Sequence, residues 1–151
     1  MSEDLRVLVE CMVHAADLPL PEYATPGSAG VDLRAAVKEP LEIASGARVL
    51  VPTGLRLSIP KGFEGQVRAR SGLALRHGVG LPNAPGTIDS DYRGELKVLL
   101  VNWSKESFTV RRGERIAQLV FAPVRRARFV PVERVDATER GEGGFGHSGS
   151  D

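Results

Sequence analysis

Aromatic side chains make up only 5% of the 151 residues, and there is a single cysteine, Cys11. One thiol excludes an internal disulfide and fits a reducing compartment, so the expected location is the cytoplasm. A surplus of either charge is missing as well: Lys plus Arg total 20 against 19 Asp plus Glu. Binding to a nucleic-acid polymer usually calls for a basic excess, which this chain lacks. No apolar run approaches the roughly 18 residues needed to span a membrane. The start, Met1-Ser2-Glu3-Asp4, is acidic and carries no signal-peptide core. The three histidines, His14, His77 and His147, stand far apart, which argues against a zinc site. There is no Walker-type glycine–lysine loop, and nothing marks the nucleophile turn of a Ser-His-Asp triad.

What the chain does have is 17 glycines and 10 prolines spread along its length, the mark of many short elements joined by tight turns. Its length fits one domain with a real core. Residues 5–14 read as a first strand, with Cys11 in the core. A Pro- and Gly-rich loop over 17–28 leads into Ala29-Gly30-Val31-Asp32-Leu33-Arg34-Ala35, an alternating strand with one acid. Short strands are expected at 41–43 and 47–51, then a turn at Pro52-Thr53-Gly54. Leu55–Ile59 and Phe63–Arg70 alternate cleanly. Ser71 is expected to cap a short helix that Gly78 stops. Leu96–Asn102, Ser107–Val110 and Arg115–Phe121 follow as strands, the last with Ile116, Gln118 and Val120 on one face. A final strand is expected over 127–135. The sum is an all-β fold, a jelly-roll-like sandwich or barrel with one short helix.

The stretch that organises the rest is Asn83-Ala84-Pro85-Gly86-Thr87-Ile88-Asp89-Ser90-Asp91-Tyr92-Arg93-Gly94-Glu95. Pro85-Gly86 and Ser90-Asp91 are turn chemistry around an extended Thr-Ile-Asp, so the expectation is a β-hairpin. Period-two alternation lets Ile88 anchor the core while Asp89 faces a cavity. A second focus is Arg70-Ser71-Gly72, where a guanidinium, a hydroxyl and helix-start N–H groups converge as for an anion. The same residues also read as an ordinary helix cap beside a surface arginine. Gln118 is one amide among apolar residues and needs a partner if buried.

From Asp136 the composition turns Gly-rich. Gly141, Gly143 and Gly146 match G-x-G-x-x-G, but no strand–helix unit surrounds them, so a dinucleotide fingerprint is rejected. A disordered tail is the plain alternative. Against it stand Arg140, Phe145, His147 and Ser148: a cation, an aromatic face and a hydroxyl suited to close over a base and phosphates.

Taken together, these stretches resemble the trimeric deoxyuridine triphosphate nucleotidohydrolases (dUTPases). The matches run in family order through Ala29–Ala35, Arg70–Ala74, Asn83–Glu95, Arg112–Val120 and Arg140–Gly149. The resemblance implies a jelly-roll body over 1–135 and a flexible arm over 136–151 that closes over the active site. It implies a homotrimer with sites shared between subunits, and Mg²⁺-dependent hydrolysis of dUTP to dUMP and pyrophosphate. By the same resemblance Asp89 orients and deprotonates the attacking water. Asn83 and the backbone around Thr87, Ile88 and Asp89 read uracil. Tyr92 packs against deoxyribose, and Lys97 adds a contact near the base. Arg70, Ser71, Gly72 and Gln118 hold phosphates, and Asp32 supports the metal through water. Arg140, Phe145 and Ser148 close the arm, with His147 standing where the family usually has serine.

Two rivals remain. A dCTP deaminase shares the fold, but that family's catalytic glutamate lies on the strand after the hairpin, and Leu96-Lys97-Val98-Leu99-Leu100-Val101 has no carboxylate. A non-catalytic nucleotide-binding trimer is opposed by Asp89, Tyr92, Arg70 and Phe145 standing together.

Overall fold

The computed structural model describes residues 4–149. In chain order the strands are β1 (Leu8–Cys11), β2 (Val31–Arg34), β3 (Leu41–Ile43), β4 (Arg48–Ser58) and β5 (Phe63–Arg68). Helix α1 (Ser71–His77) follows, then β6 (Val79–Gly80), β7 (Gly86–Ile88), β8 (Leu96–Asn102), β9 (Phe108–Val110) and β10 (Arg115–Pro123). One four-stranded sheet has the order β1-β4-β8-β6, a second the order β2-β10-β5-β7, and β3 pairs with β9. Every pairing is antiparallel. This is the expected all-β, jelly-roll-like sandwich with one short α-helix.

Alternation explains the core. Leu33, Val51, Val98, Leu100 and Ala117 are wholly buried where the inner faces of the two sheets meet, while Asp32, Arg68 and Lys97 are less buried or exposed on the alternate face. Burying each large aliphatic side chain contributes about 1.5–3 kcal/mol. The buried Asn102 is fully used. Its Nδ2 donates to the carbonyls of Ile43 at 2.9 Å and Glu106 at 2.7 Å, and its Oδ1 accepts from the Ser104 N–H and hydroxyl. A buried amide so satisfied fixes strand ends rather than costing stability.

Several local expectations need correcting. Pro52-Thr53-Gly54 is not a turn but a bulge inside one long strand, where the β4–β8 register shifts between Pro52 and Leu55. Gly54 adopts a positive φ of 71°, and Thr53 Oγ1 donates to the Leu96 carbonyl at 2.5 Å, so strand chemistry holds the kink. Residues 83–95 are not a hairpin. β7 pairs with β5 and β8 pairs with β4, so the chain crosses from one sheet to the other through residues 89–95. The first strand is shorter than expected; a single 3-10 turn at Val13–Ala15 follows it, and Cys11 is exposed on this edge strand rather than buried.

Ser71 is the first helical residue. Arg70 occupies the cap position and makes no side-chain cap bond, whereas Gly78 ends the helix in the left-handed region as expected. A bulge between Arg115 and Ala117 breaks the period of β10. Ile116, Ala117 and Leu119 are buried, and Gln118 sits on the other face. Residues 127–135 form no strand. Phe129, Val130, Val132 and Val135 stand exposed, and the segment joins neither four-stranded sheet.

Candidate active site

β7 carries the sequence's central motif to the edge of its sheet. Ile88 pairs with Gly65, and a Cβ at Gly65 would stand 3.3 Å from the Ile88 Cβ, so glycine there lets Ile88 settle against the core. With Ile88 turned inward, Thr87 and Asp89 face solvent. The turn after β7 is closed by the Tyr92 N–H donating to the Asp89 carbonyl at 3.1 Å. Arg93 Nη1 staples it by donating to the carbonyls of Ser90 at 2.7 Å and Tyr92 at 2.9 Å. The Tyr92 hydroxyl donates to the Glu95 carbonyl at 3.0 Å.

Beside this turn lies an open hollow of about 240 Å³ lined by Leu50, Thr87, Ile88, Asp89, Tyr92, Glu95 and Lys97. It brings together five of the residues singled out from the sequence: Thr87, Ile88, Asp89, Tyr92 and Lys97. Leu50 and Glu95 were not singled out. Asn83 lies just upstream and exposed, its Nδ2 3.2 Å from where a Cβ at Gly86 would stand.

A second cluster lies across β2 and β10. Arg70 Nε donates to Asp32 Oδ1 at 3.1 Å, and Arg115 Nη1 reaches Asp32 Oδ2 at 3.4 Å. Arg70 Nη1 also donates to the Arg115 carbonyl at 3.1 Å, which fixes the plane of its fork. Gln118 pairs directly with Asp32 between β10 and β2, and Ser71 and Gly72 follow Arg70 into α1. One carboxylate between two guanidiniums leaves a net positive site. Arg115 is the member that sequence reading did not pick out. Among the described residues no three His, Cys, Asp or Glu side chains gather as a ready-made metal site.

The remaining singled-out residues stand apart from both clusters. Residues 136–149 are extended and turn-rich, with Arg140 Nε donating to the Gly143 carbonyl at 2.7 Å. Arg140 and Ser148 line a hollow of about 680 Å³ together with Thr138, Glu139, Gly146 and His147. Phe145 is fully exposed, with its backbone at a positive φ of 48°. Within one chain, then, the Asp89 pocket, the arginine pair and the arm form three separate groups.

Away from these groups, Arg112 binds Asp17 through both of its carboxylate oxygens and also donates to the carbonyls of His14 at 2.8 Å and Val37 at 3.2 Å. The hydrogen bond from Arg112 holds the Asp17 carboxyl below its ordinary value of 3.8 and raises Arg112 in turn.

Comparison with known proteins meets this geometry. Residues 16–149 match the family model described as dUTPase. A deoxyuridine 5'-triphosphate nucleotidohydrolase of Methylocella silvestris is 56% identical over 152 aligned positions, covering 99% of this chain and 95% of the relative. The enzyme of the same name from Fusobacterium nucleatum subsp. nucleatum is 54% identical, covering 91% of this chain and 94% of the relative. Among solved structures, a variant of the Staphylococcus bacteriophage 80alpha dUTPase with dUpNHpp superposes with a TM-score of 0.85 at 26% identity, covering 95% of this chain and 98% of that one. The phage phi11 dUTPase of S. aureus, described with a structural Mg(II) ion, shares the fold with a TM-score of 0.77 at 21% identity, covering 87% of this chain and 99% of that one. This chain belongs to the dUTPase family.

Proposed function

We propose that the protein hydrolyses dUTP to dUMP and pyrophosphate by attack of water on the α-phosphate. The observation that carries this reading is the Asp89 pocket in a chain more than half identical to named deoxyuridine triphosphate nucleotidohydrolases. A hollow of about 240 Å³ suits a base and its sugar, below the roughly 300–1,000 Å³ of sites that take a whole drug-sized ligand. The phosphates then extend toward other groups. The reaction keeps uracil out of DNA and supplies dUMP for thymidylate synthesis.

Asp89 orients a water and takes its proton as the oxygen attacks phosphorus. Asn83 and the backbone of residues 87–89 read the uracil edge, Lys97 adds a contact beside it, and Tyr92 presses on the deoxyribose. Arg70, with the backbone N–H groups of Ser71 and Gly72 and the Gln118 amide, holds the phosphate chain and cancels the charge that the pyrophosphate leaving group develops. Positioning and charge cancellation supply most of the acceleration in such reactions.

Mg²⁺ fits this donor set. It prefers oxygen ligands, keeps waters and takes its other partners from substrate phosphates, so it needs no carboxylate cage. When bound, it would neutralise phosphate charge. Asp32 is the carboxylate that would receive its water, since each oxygen engaged by arginine keeps acceptor capacity.

Residues 1–135 act as the body and 136–151 as an arm that closes Arg140, Phe145 and Ser148 over the nucleotide; Ser150 and Asp151 lie outside the described residues. A homotrimer with shared sites accounts for the separation of the three groups within one chain. It is also supported by the exposed Phe129, Val130, Val132 and Val135, and by an apolar groove of about 650 Å³ that includes Leu5, Val7, Leu20, Phe63 and Phe121. Among the described residues no helix is long and apolar enough to cross a membrane. The single thiol, Cys11, supports a reducing compartment, the cytoplasm. The deaminase reading is not favoured: β8 offers Lys97 as its one charged side chain.

A pyrophosphate-release assay with dUTP, dCTP and UTP, run with an ammonia assay, tests the proposal. Pyrophosphate from dUTP alone is expected. Ammonia from dCTP, or no turnover of any nucleotide, overturns it.

A further inference from the structure

We infer that Glu95, clamped by His14, is a positioning residue that sets the sugar specificity of the site by fixing the seat of Tyr92; this rests on the dUTP reading above. Glu95 is 14% exposed, low for a carboxylate at the wall of a pocket proposed to take an anionic nucleotide. Such a group is unfavourable there unless its charge is met. Each of its oxygens has a partner. Oε1 accepts from the Gly54 N–H at 3.0 Å and pairs with His14 Nε2 at 2.8 Å, while Oε2 lies 3.8 Å from Lys97 Nζ. An ionised carboxylate only accepts, so His14 Nε2 carries the proton in this pair.

The clamp exists because Gly54 has no side chain. A Cβ there would stand 2.1 Å from the Ala15 Cβ, so only glycine lets the 3-10 turn at Val13–Ala15 lie on the β4 bulge and bring His14 to Glu95. The backbone of the same residue completes the relationship. The Glu95 carbonyl is the acceptor of the Tyr92 hydroxyl. Residue 95 is thus tied through its side chain to two distant segments, while its carbonyl holds the ring proposed to exclude a 2′-hydroxyl. A ring excludes by being fixed in place, so stiffness at its anchor becomes discrimination between deoxyribose and ribose.

The test compares Glu95→Ala, Glu95→Gln, His14→Ala and the double variant His14→Ala/Glu95→Ala in the full-length protein. kcat and KM are measured for dUTP and UTP. Glu95→Ala is expected to lower the dUTP-to-UTP ratio of kcat/KM by roughly tenfold, the scale of one lost charge-assisted hydrogen bond. His14→Ala moves the ratio the same way, and the double variant is no worse than Glu95→Ala, because both changes open one clamp. Glu95→Gln keeps an acceptor for Gly54 and His14 and retains most of the ratio. A merely structural tie would lower activity toward both nucleotides in equal proportion; an unchanged ratio in Glu95→Ala and His14→Ala overturns the inference. If Glu95→Ala does not fold, His14→Ala carries the same comparison.

A readout without turnover separates this inference from the reading it rests on. The chain has two tyrosines, Tyr23 and Tyr92. In protein labelled with ¹³C-tyrosine, the Tyr92 ring signal, assigned through Tyr92→Phe, is expected to shift in Glu95→Ala while Tyr23 holds still. A stationary Tyr92 signal overturns the clamp even where dUTP is hydrolysed. A shifted signal in a protein inert toward dUTP supports the clamp and overturns the functional reading.

Discussion

The ring of Tyr92 lies over Gly94: a Cβ built at Gly94 stands 2.3 Å from the Tyr92 hydroxyl oxygen and 2.6 Å from Cζ. No side chain larger than hydrogen fits beneath the ring in this position. Gly94→Ala must therefore push the ring toward the cavity or break its bond to the Glu95 carbonyl. Both Gly94→Ala and Tyr92→Ala are expected to lower the kcat/KM preference for dUTP over UTP, with Tyr92→Ala showing the larger loss. Steady-state kinetics on the two nucleotides check this, and an unchanged preference in Tyr92→Ala assigns discrimination to another group.

The Asp17–Arg112 pair gives a pH dependence of defined sign. Asp17 is held below its ordinary value of 3.8 by its hydrogen bond to Arg112. A carboxyl lowered in the folded state contributes stability that is full above its unfolded value and is lost as pH falls through the folded one. Asp17→Asn should therefore be less stable than the parent near neutral pH, with the difference fading below about pH 4. The pair is exposed, so the difference should be small and shrink in high salt. Chemical denaturation across a pH series measures it, and a difference that grows in acid would contradict the assignment.

The arm supplies a test of whether sites are shared between subunits. Ordering each of its residues costs about 1–2 kcal/mol in backbone entropy, more at glycine, which bound nucleotide must offset. Asp89→Asn and a chain cut after Val135 are each expected to be inactive. Reassembled as mixed trimers, they should partly recover, because some sites receive an intact Asp89 from the truncated subunit and an arm from its neighbour. Mixed trimers verified by mass that stay as inactive as either parent would mean that the arm serves its own chain's Asp89.

Much of this molecule was legible in its residues. Leu96–Asn102 is legible to the residue, since an apolar run with one lysine admits a buried strand and little else. Period alone puts Ile88 and Asp89 on opposite faces, and in the structure Ile88 packs against the core while Asp89 is exposed. The errors have common physical sources. Pro-Thr-Gly serves a bulge as well as a turn, and what decides is Thr53 bonding to Leu96, a contact across 43 positions. Alternation identifies a strand but not its neighbour, so the crossing between sheets at 89–95 looked like a hairpin. Residues 127–135 have strand composition, yet composition does not supply a pairing partner, and in the structure they join neither sheet. In the candidate site, Asp89 follows from local pattern and Tyr92 and Lys97 from the family resemblance, whereas Glu95's tie to His14 spans 81 positions and Arg115's to Asp32 spans 83. No local signal marks contacts of that range.

The central claim is that Asp89 activates the water that attacks dUTP, and Asp89→Asn tests it most directly. Asparagine keeps the shape and a hydrogen-bonding oxygen but cannot accept the proton. Affinity for non-hydrolysable dUpNHpp, measured by calorimetry, is expected to stay near that of the parent. Single-turnover pyrophosphate release from dUTP should fall by roughly 10²–10⁴, the usual worth of a general base. Release at close to the parent rate, with binding intact, would contradict the account.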